Sequence, residues 1–262
     1  MSEFEFVTVE DDGAVCTIRL ARPAAHNALD RQMAAELREA TYDAVTRDDM
    51  RCLVITGTSG TYCTGADLGT LSGDESDEKR LRHLATDLHA IVTALVNAPM
   101  PVVTGVNGVV AGGGLGLALC GDIVLAAESA RFEFAYPRIG LSGDGGSTYF
   151  LPRLVGLREA QRLTLRDEPV GSEEAVSLGL ATEQVADDEF DAHLTDLAAG
   201  IASGPTAAYA ETRALLHESF DNTLSEQLTS ELERISGLAN SADFARGHDA
   251  FFEKSPAEFV GR

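Results

Sequence analysis

A run that is apolar at every position cannot turn either side to water, and Cys52-Leu53-Val54-Ile55, extended by Thr56, is such a run. It has the length of a strand, Gly57 closes it, and it demands cover on both faces. Two more strand-length segments follow, Pro101-Val102-Val103-Thr104-Gly105-Val106 and Asp122 to Ala127. Helical patterns fill the gaps. Asp30 stands as a cap for a helix over 31–46, with Met33, Leu37, Ala40 and Ala44 on one face. Leu81, Leu84, Leu88, Ile91 and Leu95 recur at helical spacing until Pro99 and Pro101 stop them. Strands alternating with helices predict an α/β core.

The flanks are read the same way. Phe4, Phe6 and Val7 to Val9, then Ala14 to Leu20, predict two strands joined at Asp11-Asp12-Gly13. Residues 69–78 read as a polar loop, and Phe132-Glu133-Phe134 as one further strand. After Pro152 the patterning is mostly helical, with breaks at Gly156, Gly171, Gly179, Gly204-Pro205 and Gly247. The expected division is a core over residues 1–200 and a C-terminal helical region over 201–262. That region has no evident core of its own, so it should pack on the core or on a neighbouring subunit.

Charge narrows the function classes. The 262 residues carry 42 Asp and Glu against 20 Lys and Arg, a net −22. Only Lys79 and Lys254 are lysines. An acidic surface repels phosphate backbones and anionic headgroups, which argues against nucleic acid and membrane partners. No stretch approaches the roughly 20 apolar residues of a membrane helix. The start, Met1-Ser2-Glu3-Phe4-Glu5-Phe6, lacks the basic beginning of a signal peptide. Cys16, Cys52, Cys63 and Cys120 form no CxxC pair and read as reduced cytoplasmic thiols, and no His/Cys/Asp cluster has metal-ligand spacing. Arginine in place of lysine fits a high-GC genome, but the acid excess points to adaptation to a salt-rich cytoplasm.

Three segments carry chemistry: Cys63-Thr64-Gly65-Ala66-Asp67-Leu68, Val106-Asn107-Gly108-Val109-Val110-Ala111-Gly112-Gly113-Gly114, and Pro137-Arg138-Ile139-Gly140-Leu141-Ser142-Gly143-Asp144-Gly145-Gly146. The glycine run lacks GxGxxG spacing, and no GxxxxGK[ST] occurs. Ser142 and Ser147 lack the GxSxG elbow of a serine hydrolase. In this order and spacing, with Asn27-Ala28-Leu29 near the start and Ala250-Phe251-Phe252-Glu253-Lys254 near the end, the segments resemble the crotonase, or enoyl-CoA hydratase/isomerase, superfamily. The resemblance covers nearly the whole chain.

It implies a spiral of ββα turns with a helical C-terminal region, a homotrimer or dimer of trimers, and an acyl-CoA thioester as substrate. No separate cofactor is implied, because CoA is part of the substrate. It assigns the backbone N–H groups of Ala66 and Gly113 to an oxyanion hole for the thioester enolate. The CoA contacts implied are Ala24, Ala25, His26, Ala28, Ala66, Asp67, Leu68, Gly69, Gly112, Gly113 and Lys254. The family's Glu-Lys-Arg at the last contact reads Glu253-Lys254-Ser255 here, so one expected cation is missing. Asp67 would position backbone rather than move protons.

Two glutamates serve the family's hydratases, and their positions hold Gly116 and Arg138 here. Glycine has no side chain and arginine stays protonated, so two-glutamate hydration is disfavoured. Asp144 is the carboxylate available. Its segment is similar to two isomerase branches, the 3-enoyl-CoA to 2-enoyl-CoA isomerases, which carry a Glu there, and the phenylacetate-pathway ring-epoxide CoA isomerases, which carry an Asp. Leu151-Pro152-Arg153-Leu154-Val155-Gly156 and Asn107-Gly108-Val109 look closest to the second. One carboxylate suffices to carry a proton from the α to the γ carbon. Ile139, Leu141 and Phe150 would desolvate it and strengthen it as a base. The expected function is a double-bond shift with Asp144 as the proton shuttle. Ring-epoxide isomerisation, atypical hydration and an inactive CoA-ester-binding subunit stand as alternatives. His83 and His89 read as solvated or capping residues, Asp122 as structural, and Glu133 and Tyr136 as neighbours of the acyl pocket without an assigned role.

Overall fold

The computed structural model describes residues 4–262, so Met1 to Glu3 of the acidic start lie outside the described residues. In chain order the strands are β1 Val7–Asp12, β2 Val15–Leu20, β3 Cys52–Gly57, β4 Thr61–Cys63, β5 Val102–Val106, β6 Val109–Ala111, β7 Ile123–Ala127, β8 Arg131–Glu133, β9 Val170–Gly171 and β10 Glu183–Val185. The helices are α1 Arg31–Val45, α2 Ser76–Val96, α3 Gly113–Leu119, α4 Ser147–Arg166, α5 Ser172–Leu178, α6 Phe190–Ala202, α7 Thr206–Glu218, α8 Leu224–Leu238 and α9 Ala242–Glu253.

Two sheets result. The larger runs β1-β2-β3-β5-β7-β10, parallel except for the β1–β2 hairpin, and the smaller runs β4-β6-β8-β9. Each pair β3/β4, β5/β6 and β7/β8 gives its first strand to the larger sheet and its second to the smaller, and a helix follows. That repeated step is the ββα spiral of the crotonase fold.

Strand β3 explains the cover. Cys52 and Val54 face Phe190, Leu194 and Ala198 of α6, while Leu53 and Ile55 join the main core with α1, α2 and α3. The period of two splits one apolar run between two cores. Asp30 caps α1 by accepting from Met33 N at 2.8 Å. Asp122 proves structural: Oδ2 accepts from Val102 N at 2.7 Å and Oδ1 from Arg213 Nε at 2.9 Å, tying α7 to the sheet.

One sequence expectation needs correction: the first strand begins at Val7, not at Phe4. The region after residue 150 is mostly helical, as expected, and adds the short strands β9 and β10, which complete the two sheets. Helix α4 starts at Ser147, before Pro152, and the expected break at Gly156 interrupts it at φ 75° and ψ 157°.

Candidate active site

The site starts where β4 ends. Ala66 forms an isolated parallel bridge with Leu29: Leu29 N donates to Gly65 O at 2.7 Å, and Asp67 N donates to Leu29 O at 3.0 Å. In a trans peptide the N–H points opposite to the carbonyl before it. With Gly65 O turned to Leu29, the Ala66 N–H is turned away from it, and Ala66 lines a cavity of about 660 Å³.

A second amide comes from the start of α3. Gly112 sits at φ 54° and ψ −129°, a conformation that side chains resist, and its carbonyl accepts from Leu115 N at 3.0 Å. The Gly113 N–H is therefore one of the first-turn donors with no partner inside the helix. A side chain on Gly65 would point at Gly113 N from 2.9 Å. The two backbones touch because glycine stands there, and the Ala66 and Gly113 amides become neighbours.

Asp144 reaches the same place from the turn before α4. Its Oδ1 lies 3.6 Å from where a Cβ on Gly113 would sit. The Tyr136 hydroxyl donates to that oxygen. Burial, and then the Asp144 charge, push the Tyr136 phenol far above its ordinary range. The turn is fixed by Ser147, whose N–H and Oγ donate to Asp144 O at 3.1 and 2.8 Å, and by His89 Nε2, which accepts from Gly145 N at 3.2 Å. Paired amides beside one carboxylate can hold a developing oxyanion while the carboxylate takes and returns a proton.

The expected contacts are brought together in part. Ala66, Leu68, Gly112, Gly113 and Asp144 all line the cavity. Asp67 stands behind it, paired with Arg22 at 2.8 Å and accepting from Gly69 N at 2.9 Å, a backbone-positioning arrangement. Ala28 is buried beside Leu29. Ala24, Ala25 and His26 form a short turn next to the wall, where His26 O accepts from Thr64 Oγ1 at 3.1 Å. Lys254 is exposed at the left-handed end of α9 and is not among the cavity-lining residues.

Gly116 and Arg138 acquire definite roles. A Cβ on Gly116 would lie 1.9 Å from Gly145 O, so the backbone of the Asp144 turn fills the space a side chain would need. Arg138 lines the cavity, but Nε donates to Asp167 Oδ2 at 2.6 Å and Nη1 pairs with Glu133. His89 is exposed, as the solvated reading expected, but it also lines the cavity and holds the Asp144 turn through Gly145 N. The expected desolvation of Asp144 is incomplete, since Phe150 is buried while Ile139 and Leu141 are 47% and 40% exposed. The four cysteines are buried, and burial pushes their thiols up to about 12, which removes them as nucleophiles.

Comparison with known proteins agrees with this architecture. The family model for enoyl-CoA hydratase/isomerase matches residues 10–262. A Rhodobacter capsulatus protein named "Probable enoyl-CoA hydratase" is 38% identical, covering 99% of each chain. The 1,2-epoxyphenylacetyl-CoA isomerase of Escherichia coli is 33% identical, over 98% of this chain and 99% of its own. The crystal structure of an enoyl-CoA hydratase from Bacillus anthracis superposes with a TM-score of 0.93 at 25% identity, covering 98% of this chain and 100% of that one. The chain belongs to the enoyl-CoA hydratase/isomerase family of the crotonase superfamily, whose members act on acyl-CoA thioesters. Among the described residues no helix is long and apolar enough to cross a membrane.

Proposed function

We propose that the chain shifts the double bond of an unsaturated acyl-CoA from the 3 to the 2 position. The Ala66 and Gly113 amides hold the dienolate oxygen, and Asp144 carries the proton from the α to the γ carbon. The observation behind this reading is at Gly116. The first hydratase glutamate has not merely been lost: Gly145 O occupies its place, and the same turn delivers a different carboxylate to the oxyanion donors. With Arg138 bound to Glu133 and Asp167, no carboxylate pair remains at the hydratase positions to hold a water.

In this reading CoA runs along Ala24, Ala25, His26 and Ala28, past Asp67, Leu68 and Gly69, with Lys254 toward its phosphates. Proton transfer alone calls for no cofactor. The apolar stripe Leu224, Leu228, Leu232 and Ile235 on α8, exposed by 54% or more, suits burial between copies in a trimer. Four buried free cysteines suit a reducing cytoplasm. Ring-epoxide isomerisation is the second reading, favoured by the likeness to the E. coli isomerase.

The test is a substrate panel in molar KCl, chosen because a net −22 suits a salt-rich cytoplasm. A 3-enoyl-CoA should gain the absorbance of a conjugated thioester, while a 2-enoyl-CoA takes up no water. Hydration of 2-enoyl-CoA at a comparable rate overturns the proposal. Turnover of the phenylacetyl-derived epoxide alone moves the assignment to the second reading, and binding without any turnover moves it to a CoA-ester-binding subunit.

A further inference from the structure

Tyr136 is buried against Phe134, with ring centroids 4.9 Å apart, and its hydroxyl donates to Asp144 Oδ1. Packing alone does not ask for that hydroxyl, since phenylalanine fills the same space. The turn that delivers it is separately pinned. Ala135 takes a left-handed φ of 63°, its N–H donates to Asp167 Oδ1 at 2.7 Å, and Arg138 grips the other Asp167 oxygen at 2.6 Å. The residue at the second hydratase position thus serves to fix Tyr136. From the opposite side His89 holds Gly145, so the Asp144 turn is clasped between α2 and the segment after β8.

We propose that Tyr136 is the positioning residue of Asp144. By donating to Oδ1 it fixes the carboxylate plane and leaves Oδ2 as the one oxygen that carries the proton. This rests on the isomerase reading. Among the described residues Oδ2 has no donor, whereas Oδ1 has Tyr136. In the forward step the Cα–H bond breaks, the proton goes to Oδ2, and the electron pair moves to the thioester oxygen. In the return step that pair flows back through the dienolate, a C–H bond forms at the γ carbon with the proton from Oδ2, and the carboxylate is restored. A carboxylate free to rotate would present its proton poorly to a second carbon, because such transfers require a held geometry.

The experiment has two arms. In the first, Tyr136→Phe keeps the ring and loses the hydroxyl. The expected result on 3-enoyl-CoA is a fall in kcat of about tenfold to a hundredfold. KM and Tm should stay unchanged, and more solvent deuterium should appear at the γ carbon as intramolecular return fails. An unchanged kcat and label pattern overturns the proposal. The second arm needs no turnover. The 13Cζ resonance of Tyr136, identified by its loss in Tyr136→Phe, should move upfield in Asp144→Asn, where the acceptor has lost its charge. A resonance that does not move overturns the pairing, and does so even if the substrate panel has rejected the isomerase reading.

Discussion

The spiral core and the last three helices place their apolar residues in opposite ways. Strands β3 and β5 are buried at every position, whereas α8 buries none of its residues and leaves Leu224, Leu228, Leu232 and Ile235 in solvent. Helix α9 likewise exposes Phe244, Phe251 and Phe252. The core builds the site, and it does so mainly from backbone: two amides, three close-packed glycines and one turn. The C-terminal helices are tied on by polar links, chiefly Arg213 to Asp122 and Arg51 to Gly204 O and Phe259 O. The candidate site and the exposed C-terminal helices are therefore separable, and each can be perturbed without the other.

The largest expected effect lies in the core. Asp144→Asn or Asp144→Ala should lower isomerisation by about 10²- to 10⁴-fold, the usual contribution of a positioned acid–base group. Binding of an acyl-CoA, followed by calorimetry, and Tm should persist, because the amides and the α8 surface are untouched. Retained turnover would remove Asp144 from the mechanism.

What the residues disclosed in advance follows the same division. Largely apolar runs announce β3, β5 and β7, and the glycine and aspartate motifs point to the two amides and Asp144. Strands β4, β6, β9 and β10 have only two or three residues each, too few for any periodicity to register, and exist because a neighbour offers hydrogen bonds. His89 was illegible for a related reason. On α2, among polar neighbours, it looks solvated, and only the return of the chain 56 residues later brings Gly145 N to its ring. Arg138 could be recognised as a missing base but not as the clamp on Asp167. The exposure of Leu81 and Leu84 to the cavity was also hidden, since their stripe on α2 continues without a break into buried Leu88, Ile91 and Leu95.

The next effect tests the link between the regions. Arg213 is buried, and its guanidinium reaches Asp122, Ala98 O at 2.6 Å and Leu95 O at 3.0 Å. Arg213→Met takes the donor from Asp122 Oδ1 and from Ala98 O, while Asp122 Oδ2 keeps Val102 N and Leu95 O keeps Ala98 N at 3.3 Å. Breaking a buried pair from one side costs about 3–5 kcal/mol. Limited proteolysis should then cut first between α6 and α9, while the core resists longer. Uniform loss of protection across the chain would instead mean that α7 to α9 fold as one unit with the spiral.

The smallest effect concerns a piece of the core that is held the way the C-terminal helices are. The loop ahead of α2 is fastened by Asp77, which accepts from Ser72 N at 3.0 Å and Gly73 N at 2.6 Å and pairs with Arg80 at 3.1 Å. The Ser72 amide first, then Gly73 and Arg80, hold its carboxyl below the ordinary carboxylate range. A carboxyl lowered in the folded state stabilises it at every pH above the unfolded value of 3.8, and that contribution disappears as pH falls through the folded value. Asp77→Asn should therefore lower Tm slightly at neutral pH, and the gap from the parent should close only in acid. Two Tm curves that stay parallel down to acid pH would show that the loop is held by contacts other than this charge. In that case the cavity-lining part of α2, from Leu81 to His89, owes its position to core burial, the Arg38–Asp87 pair at 2.7 Å and the His89–Gly145 hydrogen bond rather than to Asp77.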